Sequence, residues 1–155
     1  MRTGIIITMA QAWIERALAR MSETTGRGGG ARRTVVEFLG RQSCCVSAQE
    51  IHDGIRESGV RVGMASVYRV VDGLDSLGLV QRIDLGDGVS RFEPADPLGD
   101  HHHHLVCDDC GKVEPFEDSS LESALERVAG GRGYAMAGHD VVLRGACGTC
   151  RGLEP

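Results

Sequence analysis

Aromatic side chains are few in this chain, 4% of 155 residues, and long apolar runs are missing. The shortage of rings leaves the core to aliphatic residues. Because 41% of the chain is hydrophobic and the apolar positions recur periodically, it does not signal disorder. Ile5 to Ile7 is the one apolar run near the N-terminus, and polar and charged residues follow it. That excludes a secretory signal and a membrane span and places the protein in the cytoplasm. No nucleophile or substrate-shaping motif is evident, so the chain is not read as an enzyme. Its length permits one domain or two small ones.

A formal charge of -5 argues, taken alone, against a nucleic-acid partner. The charge is unevenly spread. Residues 1–92 carry 12 arginines and no lysine against 10 acids, whereas 93–155 carry 5 basic against 12 acidic residues. A mildly basic half suited to a polyanion is joined to an acidic, histidine- and cysteine-rich half suited to cations.

Six cysteines without a secretory signal point to a reducing compartment, where Cys-x-x-Cys is more often a metal clamp than a disulfide. Cys107 and Cys110 are separated from Cys147 and Cys150 by 36 residues. The four thiols can converge on one tetrahedral zinc at Zn–S distances of about 2.3 Å, with disulfides or a redox pair as the alternatives. Ahead of the first pair stand His101, His102, His103 and His104. In an extended segment side chains alternate, so His101 and His103 face one way, His102 and His104 the other. One strand would then feed two further metal sites; a chance histidine run is the alternative.

Along the chain, residues 1–8 read as an extension. Ile14, Leu18 and Met21 mark a helix over 10–21, and the Gly- and Thr-rich run 24–30 breaks it. A second helix is expected over 31–39, ending at Gly40. Ser47 and Glu50 have capping-box spacing before a helix carrying Ile51 and Ile55 and ending at Gly59. Val67, Val70, Val71, Leu74 and Leu77 form the stripe of the next helix, leaving Ser66, Arg69 and Asp72 outward. Two short helices and a tight turn read as a helix-turn-helix or a plain helical hairpin. Residues 79–84 and 89–93 flank Gly86-Asp87-Gly88 and predict a β-hairpin, which turns the motif into a winged helix. Tyr68 and Arg69 then lie where a recognition helix reaches base edges; a half-buried core role is the alternative for Tyr68.

Residues 95–100 read as a hinge between a winged-helix domain, 1–94, and a small α/β domain, 101–155. In the latter, strands are expected over 104–106 and 112–116, a helix opened by a capping box at Ser119 and Glu122, and a final strand over 134–144. The fold class is α+β. The second domain is thin, and metal and dimerisation would supply the stability it lacks.

The segments "SAQEIHDGIRESG", "MASVYRVVDGLDSLGLV", "SRFE", "DHHHHLVCDDCGKV" and "HDVVLRGACGTC" together resemble the ferric uptake regulator family of metal-sensing bacterial repressors, over about residues 30–151. The resemblance implies a homodimer that binds operator DNA when loaded with a sensory divalent metal, zinc or iron, beside a structural zinc. It matches Cys107, Cys110, Cys147 and Cys150 to the structural site. His101, His103, Glu122 and His139 match a site inside the dimerisation domain. His102 and His104 match a hinge sensor site, with Glu93 as the matching acid and Asp96 as the alternative. Ser66, Tyr68, Arg69 and Arg32 are the DNA-contact candidates. The histidine run also resembles zinc-uptake regulators, while iron and peroxide sensors of the family share the same ligand face.

Two departures stand out. Cys45 occupies the place of a family histidine, and Pro115 that of a frequent carboxylate. A thiolate suits thiophilic ions, so Cys45, Glu93, His102 and His104 would form a tetrahedral site; equally, Cys45 is a small buried hydrophobe. Cys44 and His52 are read as non-ligands. The competing functions are a zinc hydrolase using His101, His103 and Glu122, which leaves the helix-turn-helix unexplained, and a metal-buffering protein.

Overall fold

The computed structural model describes residues 9–26, 29–95 and 102–152. The expected extension at 1–8, most of the expected hinge, Asp96 and His101 lie outside them. The chain divides into two compact units, 1–97 and 98–155.

The first unit runs α1 (Met9–Thr25), α2 (Gly30–Leu39), β1 (Val46–Ser47), α3 (Ala48–Glu57), α4 (Met64–Ser76), β2 (Val80–Asp84) and β3 (Ser90–Pro94). The helices bury their periodic faces in one core: Trp13, Ile14, Ala17 and Met21 of α1, Val35, Val36 and Leu39 of α2, Ile51 and Ile55 of α3, and the α4 valines with Leu74. Trp13 closes one side, its Nε1 donating to the Leu79 carbonyl at 2.8 Å. Packing is tight at Gly54, where an added Cβ would lie 2.4 Å from Cζ of Phe38.

The capping box forms as the spacing predicts: Ser47 Oγ accepts from the Glu50 amide, while Glu50 Oε2 accepts from the Ser47 amide at 2.7 Å. β2 and β3 pair antiparallel across a turn in which Gly86 and Gly88 have φ of +80° and +76°, a region open to glycine and strained for other residues. The sheet has a third strand that the sequence did not suggest, β1, giving the order β1-β3-β2. Two residues are too few to carry a periodic signal.

The second unit contains β4 (His103–Cys107), β5 (Val113–Phe116), α5 (Ser119–Gly131) and β6 (Val142–Gly145). The sheet order is β5-β4-β6, with β4 antiparallel to β5 and parallel to β6. Two expectations are corrected. The final strand covers only Val142–Gly145, because β4 offers partners only from His104 onward, opposite Val142. The cap of α5 is Asp118, whose side chain accepts from the Leu121 amide; Ser119 lies inside the helix and Glu122 is drawn to two histidines instead. No α5 residue is buried, and Val128 is 57% exposed.

Candidate metal centres and nucleic-acid interface

Strand β4 organises three donor groups. At its C-terminal end, Cys107 begins a turn closed by the Gly111 amide donating to the Cys107 carbonyl at 2.9 Å. The parallel register sets Cys107 opposite Gly145, which brings the turn after β6 alongside. The Sγ atoms of Cys107, Cys110, Cys147 and Cys150 lie within 4.8 Å of one another, and none is in a disulfide. The backbone N–H of Cys147 donates to Cys107 Sγ at 3.2 Å, and Cys110 Sγ lies 3.8 Å from Cys147 Sγ.

These backbone donors stabilise a thiolate at Cys107 and lower its pKa to about 6, while hydrogen bonds with Cys147, Cys110 and Cys107 push Cys150 up to about 12. A site that already favours one thiolate and gathers three further sulfurs fits a tetrahedral d10 cation and leaves no coordination position for substrate.

His103 sits on one face of β4, 1% exposed. Its Nε2 lies 2.6 Å from Glu122 Oε1, and Glu122 Oε2 lies 2.9 Å from His139 Nε2. One carboxylate from α5 thus ties a strand histidine to a histidine of the segment before β6, with the two rings 5.1 Å apart. Two imidazoles and a carboxylate with donor atoms within 4.8 Å fit a divalent cation. His102 and His104 meet with ring centroids 4.9 Å apart, while His103 packs against Phe116 and His139. The alternation expected of an extended segment is therefore present from His102 to His104.

In the first unit Glu93 is 7% exposed. The structure differs from the sequence reading over its neighbour. It is Cys44 whose Sγ lies within 4.8 Å of a Glu93 carboxylate oxygen, whereas Cys45 is buried. A hydrogen bond with Cys44 and then burial push the Cys45 thiol up, favouring its neutral form. Adjacent cysteines look alike in sequence; only the direction each side chain takes at the start of β1 separates them.

On α4, Tyr68 is 52% exposed, so it is not a core aromatic. Arg69 is exposed beside it; its Nε donates to the Ala65 carbonyl at 3.2 Å and its Nη2 lies 3.5 Å from half-buried Ser66 Oγ. Arg32 is engaged at the join of α1 and α2, donating to the Gly26 carbonyl at 2.7 Å. His52 lies 3.2 Å from Asp53 on the flank of α3.

Comparison with known proteins gives a consistent picture. The model of the "Ferric uptake regulator family" matches residues 23–144. The ferric uptake regulation protein of Yersinia pestis is 37% identical over 123 residues, covering 77% of this chain and 82% of its own. The solved Vibrio cholerae ferric uptake regulator superposes with a TM-score of 0.72 at 31% identity, over 83% of this chain and 98% of that one. A zinc-bound manganese uptake regulator superposes with a TM-score of 0.71 at 26% identity, over 84% and 98%.

Proposed function

Because the chain belongs to the ferric uptake regulator family, and is therefore a metal-responsive transcriptional repressor, we propose that its two units divide that work between DNA and metal. Residues 1–94 bind double-stranded operator DNA, 95–100 are the hinge, and 101–155 hold metal and dimerise. The observation that carries this reading is the arrangement on β4: four thiols at its end, and histidines sent to two opposite faces.

The four-cysteine centre is a structural zinc site. The inner face, His103 with Glu122 and His139 and with His101 as a fourth ligand, takes a second divalent ion and supports the dimer. The outer face, His102 and His104, is the sensor, completed by Glu93 and by a further donor among Cys45, its neighbour Cys44 and Asp96. A bound zinc or iron there would link donors from both halves of the chain and favour the DNA-competent state through that differential contact. Tyr68 and Arg69, with Ser66, read the major groove; Arg32 contributes at the backbone. The uncovered apolar residues of α5 fit a homodimer, and the protein works in the cytoplasm.

The test is DNA binding across a metal titration for two double variants. His102→Ala/His104→Ala is expected to remain a folded dimer and lose metal-activated binding, while His101→Ala/His103→Ala only weakens the response. Loss of activation in the inner-face variant alone would reverse the assignment.

A further inference from the structure

Cys44 is read from the sequence as a non-ligand, yet the structure places its sulfur at Glu93, the most buried carboxylate among the described residues of the first unit. β1 and β3 run antiparallel with Val46 opposite Phe92 and Ser47 opposite Arg91. One step further along that register, the residue opposite Glu93 is Cys45. The two cysteines therefore stand just before β1, beside Glu93, and they take different directions. Cys45 turns inward, 5% exposed, with its thiol hydrogen-bonded to Cys44. Cys44 is half-buried and brings Sγ within 4.8 Å of a Glu93 carboxylate oxygen.

A sulfur and a carboxylate oxygen at that separation are within reach of one cation, given Zn–S of about 2.3 Å and Zn–O of about 2.0 to 2.2 Å. The inward thiol, by contrast, is buried and hydrogen-bonded to its neighbour. Sulfur also changes which ion is preferred. Thiolates select Zn(II) and other thiophilic cations, whereas Mn(II) and Fe(II) gain little from exchanging a nitrogen or oxygen donor for sulfur.

We propose that Cys44, together with Glu93, is the metal ligand that the DNA-binding unit contributes, that it biases this unit's ion preference toward thiophilic cations, and that Cys45 is a positioning residue that orients it. This rests on the reading of Glu93 as a sensor ligand.

The experiment uses full-length protein with the four-cysteine centre already loaded with zinc. Co(II) is then added as a spectroscopic probe, and zinc and Mn(II) affinities are measured by chelator competition for wild type, Cys44→Ser, Cys44→Ala, Cys45→Ala and Glu93→Gln. Emission from buried Trp13 verifies that each variant keeps the first unit folded. In wild type, Co(II) is expected to produce a near-ultraviolet sulfur-to-cobalt band. Both Cys44 variants are expected to lose that band and about 100-fold or more in zinc affinity, while Mn(II) affinity changes far less. Cys45→Ala should retain the band and lose about tenfold, the scale of removing a group that orients a ligand. A Cys44 variant with the wild-type band and zinc affinity would overturn the proposal, as would loss of the band in Cys45→Ala alone. If Glu93→Gln abolishes metal-activated DNA binding while Cys44→Ser changes neither spectrum nor affinity, this inference fails and the sensor reading stands. If Glu93→Gln also leaves metal activation intact, both fail.

Discussion

Cys107→Ser should unfold the second unit and leave the first intact. Among the described residues, the buried side chains of the second unit are His103, His104, Val106 and Cys107, and α5 buries none. Val106 is the one buried aliphatic residue there, and burying it contributes about 2 kcal/mol. On the proposed assignment the four cysteines hold a structural zinc, which contributes about 10 to 16 kcal/mol of apparent binding free energy, so removing one thiolate would take away the largest single stabilising contribution. The first unit has an apolar core drawn from α1, α2, α3, α4 and the sheet. Trp13 is the chain's one tryptophan and is 5% exposed in that core, so its emission reports the first unit alone. The variant is expected to lose one tightly held zinc per chain, the dimer by gel filtration, and amide-exchange protection across β4, β5 and β6. Trp13 emission and its thermal transition should stay close to wild type. A variant that remains dimeric, with full metal content and protected β4 amides, would refute the reasoning.

Three further outcomes follow from single side chains. Arg69→Ala should weaken operator binding at matched salt by about 1 to 3 kcal/mol, the worth of a base-edge contact, with metal content unchanged; equal affinity would remove Arg69 from recognition. Glu122→Gln replaces the carboxylate that meets both His103 and His139, so chelator competition should show a weaker inner-face metal with the four-cysteine zinc undisturbed. Gly54→Ala places a methyl 2.4 Å from Cζ of Phe38 and should destabilise the first unit by about 1 to 3 kcal/mol, read as an earlier Trp13 fluorescence transition.

What the sequence made legible was what is encoded locally. The Ser47–Glu50 capping box, the Gly86 and Gly88 turn and the α4 stripe each depend on residues within a few positions of one another, and each formed where its spacing put it. The two Cys-x-x-Cys pairs are distant from each other but chemically so distinctive that convergence was the economical reading. Non-local choices were harder. Asp118 and Ser119 are both good caps, and Asp118 holds the position because Glu122, which a Ser119 box would need, is occupied by His103 and His139. The last strand was read too long because hydrophobic spacing does not reveal where a neighbouring strand begins. Cys44 and Cys45 differ only in side-chain direction, which a composition-level argument cannot resolve.

On the proposed assignment the two faces of β4 cannot do the same work. His103, Glu122 and His139 all come from one unit, so an ion there meets these donors whatever the other unit does. A ligand that binds two states equally shifts nothing between them. An ion that draws on His102 and His104 and also on Glu93 and Cys44 would be held fully only when both sets of donors are in reach. Moving an equilibrium from 1:99 to 99:1 requires about 10⁴-fold preferential binding. Groups that merely orient a ligand change metal affinity by about 10- to 100-fold, so two direct ligands reach the required scale when each contributes at least the upper end of that weaker effect. Strand parity keeps the two roles separate. A one-residue shift within 101–104 would exchange the faces, placing the proposed sensor imidazoles against Glu122 and the inner-face ones outward, without altering the composition of the run.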